Sequence, residues 1–124
     1  MSRRFMIVLS LALALIVLAT GVALAADAPT KQVGLVVGFP DGTQHLEVVT
    51  VPEAATTFDV LQAANINLVS QNSGWGPAVC DINGFSGCSE TNCFCDPTHF
   101  WAYYHLDATT NTWASASEGV GAYV

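Results

Sequence analysis

The pattern of apolar and polar positions separates a leader from the rest of the chain. Residues 5–18 form an apolar run broken only by Ser10, and it lies between an arginine pair and the small residues Ala23-Leu24-Ala25. A basic start, an apolar stretch and an A-x-A site are typical of a secretory signal peptide, which we expect at residues 1–25. The alternative is an uncleaved leader that anchors the chain, since residues 5–26 are just long enough to span a bilayer.

Residues 26–124 make one small domain whose pattern predicts mostly strands. Apolar and polar residues alternate over 31–39 and 44–51 on both sides of a Pro-Asp-Gly turn, which predicts a β-hairpin. Residues 52–65 predict a helix with a threonine cap and one apolar stripe. The cap is Thr56 or Thr57, and the stripe consists of Val60, Leu61 and Ala64.

The second half of the domain predicts further extended segments around a cysteine-rich loop. Residues 66–70, 77–82 and 99–106 have the composition of strands, and one more extended segment follows residue 112. QNSGWG at 71–76 predicts a loop, and Asn83-Gly84 begins a turn after the strand at 77–82. A single helix packed on one face of a sheet is an α+β arrangement. We expect its simplest form, a β-grasp-like small mixed sheet with one helix and a disulfide-stapled loop.

Removal of the leader makes the domain strongly acidic. Lys31 is then the only lysine or arginine beside ten Asp and Glu residues, which gives a net charge of −9. Binding to nucleic acid needs lysine and arginine to neutralise phosphates, so we expect none. The same charge opposes contact with anionic lipid, so we expect contact with a membrane only through an uncleaved leader.

Four cysteines, Cys80, Cys88, Cys93 and Cys95, follow one another closely in a chain with an export signal. Cysteines in an oxidising compartment usually pair, and a small domain depends on such support, so we predict two disulfides. Three pairings are open; we favour the nested one, Cys80–Cys95 with Cys88–Cys93. The spacing matches neither zinc sites nor the C-x-x-C of thioredoxin-like centres, so we predict no metal there.

The histidines and acids do not form a recognisable catalytic or metal-binding pattern. His99 and His105 would lie about 20 Å apart along one strand, and His45 belongs to another. Two carboxylates can hydrolyse glycosides, but no spacing selects a pair among the candidates. These candidates are Asp81, Glu90, Asp96, Asp107 and Glu118. The sequence has no nucleophile elbow, H-E-x-x-H motif or phosphate loop, so we expect a protein that is not an enzyme.

Aromatic residues concentrate in the C-terminal half of the chain. Along the strand predicted at 99–106, Phe100 and Tyr104 share one face, and Trp101 and Tyr103 share the other. One face should belong to the core. The other face, with Trp101 and Tyr103 between two histidines, is either a stacking platform for a flat or ring-shaped ligand or a surface covered by the loop at 85–97.

Three segments together resemble the transcobalamin C-terminal-like family, a secreted domain of unknown function. They are TTFDVLQAANI at 56–66, GWGPAVCDINGFSG at 74–87 and FWAYYHLDATTNTWASASEGVGAYV at 100–124. The resemblance implies a β-grasp-like fold and, because the related domain of transcobalamin closes over a corrinoid, a ring-shaped ligand. The positions that match are Trp101, Tyr103, Tyr104 and Trp113, with Trp75 as a looser match.

The family usually continues with an Asp-Gly-Asp turn and a final strand, whereas this sequence stops at Val124. The expected sheet would then keep an open edge. Three alternatives follow: the chain is a C-terminally truncated fragment, Tyr123-Val124 closes the sheet poorly, or a partner strand completes it. We expect a secreted or extracytoplasmic, non-enzymatic module that binds a small ligand such as a corrinoid, and we assign no cofactor. The alternative is an extracellular structural or adhesion module that binds protein or glycan.

Overall fold

The computed structural model describes residues 27–122. The signal peptide predicted at 1–25 and the last two residues lie outside the described residues. Within 27–122 the chain forms six strands and one helix. The strands are β1 (Thr30–Gly38), β2 (Gln44–Pro52), β3 (Leu68–Ser73), β4 (Gly76–Ile82), β5 (Tyr104–Asp107) and β6 (Thr112–Ser115), and the helix α1 (Thr57–Ala63) lies between β2 and β3.

Strands β1 and β2 form the predicted hairpin, with nine antiparallel residue pairs. Side chains alternate between the two faces of a strand, so Val37, Val49 and Val51 are buried on the inner face. The turn contains Gly42 with a φ of 84°, a left-handed conformation that glycine adopts without steric cost. The prediction of this hairpin from alternation and a Pro-Asp-Gly turn is confirmed.

Helix α1 begins at a complete capping box. The backbone N–H of Asp59 donates to the hydroxyl oxygen of Thr56 at 3.2 Å, and the Thr56 N–H donates to the Asp59 carboxylate at 2.7 Å. The cap is therefore Thr56, the first of the two predicted threonines. The predicted stripe of Val60, Leu61 and Ala64 is buried.

The main hydrophobic core lies between this helix and the β1–β2 hairpin. Its buried members are Val49, Val51, Ala55, Val60 and Ala64, with Val33, Leu35 and Ile66 packed against them. Full burial of a valine-sized side chain contributes roughly 1.5–3 kcal/mol, so this small set holds the N-terminal half together. A second cluster lies at the cysteine loop and consists of Cys80, Cys88 and Cys93 beside Val69 and Ala78.

Strands β3 and β4 form a second hairpin that is longer than the sequence predicts. The segment expected to be a loop is mostly strand, because β3 runs to Ser73 and β4 begins at Gly76. Only Gly74-Trp75 remains as the turn. The turn predicted after β4 is present, and both Asn83 and Gly84 have positive φ angles, of 56° and 81°.

Strands β5 and β6 form the third hairpin. Because β5 begins at Tyr104, the strand expected over 99–106 is wrong for its first five residues. After β6 the chain returns to the helix, where the Thr57 N–H donates to the Ala122 carbonyl at 3.1 Å and the Phe58 N–H donates to the Val120 carbonyl at 2.7 Å. These two bonds satisfy N–H groups of the first helical turn that have no partner inside a helix.

Within 27–122 the six strands pair only as three separate two-stranded antiparallel sheets. The fold is thus a small α+β arrangement of three hairpins, one short helix and two disulfides, and the single mixed sheet expected from the sequence is not seen. Turn residues determine each hairpin locally, whereas the lateral joining of hairpins depends on contacts that periodicity does not encode. No helix in this part of the chain is long and apolar enough to cross a membrane.

Candidate functional site

Three large side chains lie on one face of the β5–β6 hairpin, which we call the aromatic face. Leu106 pairs with Trp113 across the strands, and Tyr104 lies two residues before Leu106 on the same side. The exposed fractions are 51% for Tyr104, 51% for Leu106 and 56% for Trp113. The structure therefore places two predicted site residues, Tyr104 and Trp113, on one accessible surface. Leu106 is a neighbour that the sequence analysis does not assign to the site.

Tyr103 attaches the hairpin to the helix. Its hydroxyl group hydrogen-bonds the hydroxyl of buried Thr57, the first residue of α1, and lies 3.2 Å from Nδ1 of His105. The rings of Tyr103 and His105 meet at an angle, with centroids 4.6 Å apart. The Ala116 N–H donates to the Tyr103 carbonyl at 3.0 Å. These contacts make Tyr103 an anchor for the aromatic face rather than a member of it.

Trp101 packs against the turn of the first hairpin. Its ring meets that of Phe39 edge to face at 6.1 Å, and Phe39 stacks on Phe85 at 4.3 Å. Phe39 directly follows β1 and continues its alternation on the inner face. Its ring partners, Phe85 and Trp101, come from two segments far away in the sequence. Trp101 is therefore part of a covered surface. The expected roles of the two faces are reversed, because Phe100 and Tyr104, expected in the core, are 82% and 51% exposed.

Trp75 lies at the tip of the β3–β4 turn and is 100% exposed. Among the ring contacts of residues 27–122, none joins Trp75 to another aromatic side chain. Trp75 instead lines a concavity of about 300 Å³ together with Glu118 and Gly121 of the C-terminal segment. We call this concavity the tryptophan pocket.

Two disulfides close the cysteine loop, as the sequence predicts, but their pairing is different. The bridges are Cys80–Cys93 and Cys88–Cys95, with Cα–Cα distances of 4.4 and 5.5 Å. The favoured nested pairing is therefore wrong. Cys80, Cys88 and Cys93 are buried in one cluster, whereas Cys95 is exposed, so Cys93 rather than Cys95 reaches the buried Cys80 on β4.

Asp81 shapes the loop that leads from β4 to the second disulfide. Its side chain is 3% exposed, and its carboxylate accepts hydrogen bonds from the N–H groups of Gly84 (2.6 Å), Ser86 (2.6 Å) and Gly87 (3.2 Å) and from the Ser86 hydroxyl (2.6 Å). Burial raises the pKa of Asp81, but the hydrogen bonds from Ser86, Gly84 and Gly87 outweigh it and hold the pKa below its usual value. The sequence signal for this role is an aspartate followed by turn residues in the pattern D-x-x-G-x-S-G.

Other candidate acids also organise turns. The Asp96 carboxylate accepts hydrogen bonds from the Thr98 hydroxyl (2.6 Å) and N–H (2.8 Å) and pairs with His99 Nδ1 (2.8 Å), which together hold the pKa of Asp96 well below its usual range. Bonds from the N–H groups of residues 110 and 109 lower the pKa of Asp107. Within residues 27–122 no group of three or more His, Cys, Asp or Glu is arranged to hold a metal ion.

Comparisons with protein-family models, with curated proteins and with solved structures find no match to this chain. The resemblance to the transcobalamin C-terminal-like family therefore stays a prediction. The accessible surfaces that the described residues offer to a ligand include the aromatic face and the concavities beside the β3–β4 hairpin.

Proposed function

We propose that the protein is a secreted, non-enzymatic binding module that holds a flat, ring-shaped ligand on the aromatic face. The observation that carries this proposal is the grouping of Tyr104, Leu106 and Trp113 on one side of a hairpin, each more than half exposed. Grouped apolar side chains on a surface often mark a site of interaction. A pair of stacked aromatic rings contributes about 0.5–1.5 kcal/mol beyond the area that it buries.

The attachment of the hairpin supports binding on this face. Tyr103 ties the start of β5 to Thr57 of the helix, and the Asn111 N–H donates to the Asp107 carbonyl at 2.7 Å to close the β5–β6 turn. A surface that is held in place before the ligand arrives loses less conformational freedom on binding. The anchor residues therefore contribute to affinity without contacting the ligand.

A corrinoid is the specific ligand of this proposal, and a β-grasp-like arrangement is its specific fold. Both come from the resemblance to the transcobalamin C-terminal-like family. Of the matching positions, Tyr104 and Trp113 are accessible to a ring, and we assign Trp101 and Tyr103 the role of holding the hairpin. The corrin macrocycle is broad and flat, which suits a surface made of two rings and a leucine.

Two further parts of the proposal have support of their own. Secretion is supported by the two disulfides, because such bonds persist in oxidising compartments. For three of the five candidate acids, those at 81, 96 and 107, the carboxylates are occupied with turn hydrogen bonds, which supports the absence of a catalytic pair among these three. Neither part depends on the identity of the ligand.

The test is equilibrium dialysis of the exported, disulfide-bonded protein against cyanocobalamin, followed by absorbance. We expect Trp113→Ala to weaken binding at least about fivefold, and Tyr104→Ala by a similar factor, because each removes a stacking contact. Trp75→Ala is the matched control, since it also removes an exposed tryptophan but not from the aromatic face. If the wild-type protein does not bind, a corrinoid is excluded; if Trp113→Ala and Trp75→Ala behave alike, the aromatic face is not the site.

The second candidate is an extracellular structural or adhesion module that binds protein or glycan. It is favoured by the outer face of the β1–β2 hairpin, where Val36, Leu46 and Val48 are 43%, 68% and 66% exposed. Each described sheet has only two strands, so each strand also keeps an unpaired edge. A concentration-dependent increase in sedimentation coefficient that Leu46→Lys abolishes would favour this candidate over the first.

A further inference from the structure

A polar cleft lies between helix α1 and the β3–β4 hairpin and shares no residue with the aromatic face. Its volume of about 520 Å³ is within the range of about 300–1,000 Å³ that small-molecule sites occupy. The helix, β3 and the cysteine loop all contribute to its lining. The residues that matter here are Phe58, Gln62, Ser70, Gln71, Asn72 and Glu90.

The polar side chains of this cleft are available to a ligand. None of the side-chain hydrogen bonds found within residues 27–122 involves the side chains at positions 62, 70, 71, 72 or 90. Carboxamides provide both donors and acceptors, as does a hydroxyl group, and a carboxylate provides acceptors. Glu90 differs in this respect from Asp59, Asp81 and Asp96, whose carboxylates are occupied with the turns that they close.

Phe58 adds an apolar surface beside these polar groups. Phe58 and Gln62 are four residues apart on α1 and therefore lie on one side of the helix. The Phe58 N–H is bonded to the Val120 carbonyl at 2.7 Å, which fixes the backbone that carries this ring. The cleft thus combines a positioned aromatic ring with several carboxamides.

The polar cleft lies next to the tryptophan pocket. Pro77 lines both the polar cleft and the tryptophan pocket, so the two concavities adjoin. At Gly121 an added Cβ would lie 3.0 Å from the Pro77 Cδ, which shows how closely the C-terminal segment packs beside this boundary. The two concavities, which we refer to together as the groove, each contain an aromatic ring, Phe58 in the polar cleft and Trp75 in the tryptophan pocket.

This chemistry matches a sugar. A pyranose ring has an apolar side of C–H groups that stacks on an aromatic ring, and its hydroxyls both donate and accept hydrogen bonds as carboxamides do. The ionisable side chains that line the groove are Glu90 and Glu118, with no lysine, arginine or histidine among the lining residues. Negative charge repels negative charge, so the groove disfavours acidic sugars and phosphates.

We propose that the polar cleft and the tryptophan pocket form one binding groove for a neutral oligosaccharide. One sugar unit stacks near Phe58, and the carboxamides of Gln71 and Asn72, which project from opposite sides of β3, bond to different parts of the oligosaccharide. A further unit lies on the exposed face of Trp75. This site is independent of the ring-shaped ligand assigned to the aromatic face.

The experiment is a titration of the ¹⁵N-labelled, disulfide-bonded protein with maltotriose, cellotriose and chitotriose, followed by amide shifts. We expect at least one of them to bind with a dissociation constant of about 1 mM or lower and to shift the amides of residues 70–72 and the Trp75 indole. Trigalacturonic acid, which is negatively charged, should bind at least about tenfold more weakly. The proposal is overturned if none of the neutral trisaccharides binds below about 10 mM, or if the acidic one binds equally well.

Variants locate the site. Gln71→Ala and Asn72→Ala should each weaken trisaccharide binding by about five- to tenfold. Trp75→Ala should reduce the affinity for the trisaccharide more than the affinity for the monosaccharide of the same sugar. Gln32→Ala removes an exposed carboxamide from β1 and should change nothing. Full affinity in both Gln71→Ala and Asn72→Ala would refute the groove. Loss of sugar binding in Trp113→Ala would move the sugar to the aromatic face and equally overturn this inference.

Discussion

Replacement of Asp81 with asparagine tests how the cysteine loop is held. Asparagine keeps the shape of the side chain but removes the charge and replaces one acceptor oxygen with an amide that donates. In the native loop Oδ2 accepts from the Gly84 N–H, while Oδ1 accepts from Ser86 and Gly87. An asparagine that keeps its oxygen at the Oδ1 position therefore points its NH₂ group at another donor.

The expected cost follows from these contacts. A hydrogen bond to a charged group contributes roughly 1.5–3 kcal/mol, and a buried donor left without a partner costs roughly 1–3 kcal/mol. Asp81→Asn loses the hydrogen bond from Gly84 and turns the three hydrogen bonds from Ser86 and Gly87 into bonds to a neutral acceptor. The side chain is only 3% exposed, so little water can replace these contacts directly. The loop backbone at 84–87 is exposed enough for water to replace part of the loss. We expect the free energy of unfolding to fall by about 2–4 kcal/mol.

The pH dependence gives an independent check of the same contacts. Because the pKa of Asp81 is lowered in the folded protein, its contribution to stability is complete above the unfolded value of 3.8 and disappears as the pH falls through the folded value. The difference in stability between the wild-type protein and Asp81→Asn should therefore be constant near neutral pH. It should shrink only when the pH drops below about 4.

The assay is urea unfolding with both disulfides intact, followed by tryptophan fluorescence over a series of pH values. Asp107→Asn is the matched control, because the Asp107 carboxylate also accepts bonds from two N–H groups but lies on an exposed turn. The reasoning fails if Asp81→Asn destabilises the protein no more than Asp107→Asn does. It also fails if the stability difference persists unchanged in strong acid.

The remaining predictions concern the two disulfides and the hydroxyl groups of Tyr103 and Tyr104. Replacement of both Cys80 and Cys93 with serine should lower the free energy of unfolding by about 2–4 kcal/mol. Removal of the Cys88–Cys95 bridge should cost less, because this bridge spans 7 residues of chain rather than the 13 spanned by Cys80–Cys93, and because Cys95 is exposed. Equal urea midpoints for the two double variants would contradict this expectation. Tyr103→Phe should cost about 1–2 kcal/mol, because it leaves the buried hydroxyl of Thr57 without its partner. Tyr104→Phe removes a hydroxyl from the exposed face and should leave the unfolding midpoint unchanged.

Much of the fold could be predicted from the sequence because its elements are local. The alternation in β1 and β2, the Thr56 cap and the Asn83-Gly84 turn each depend on neighbouring residues, and all three agree with the structure. The strand expected over 99–106 was too long, since strand-forming aromatic residues precede β5 without pairing. Trp101 contacts Phe39 beside the first hairpin turn and Tyr103 hydrogen-bonds the helix, whereas Phe100 is 82% exposed. The contacts of Trp101 and Tyr103 with distant segments override their strand propensity.

The candidate site likewise combines features that local sequence predicts with features that depend on contacts between distant segments. Composition identifies the aromatic residues, and the register of β5 and β6 places Tyr104 and Trp113 on a common face. The disulfide pairing depends on which cysteines are buried together, and the turn at Asp81 depends on acceptors and donors up to six residues apart. The polar cleft has no sequence signature, because its lining comes from a helix, a strand and a loop.

The exposure of the three tryptophans and of Tyr103 depends on where the chain contacts the rest of the protein. Trp101 and Tyr103 immediately precede β5, where the chain must be held to the body of the protein, and their rings contact Phe39 and hydrogen-bond Thr57. Trp75 lies at the tip of the β3–β4 turn and Trp113 lies on the aromatic face of the β5–β6 hairpin, and both are exposed. We propose above a ligand contact for each of these exposed rings. The two exposed tryptophans lie on different hairpins, and this separation is why we assign them to two sites rather than to one.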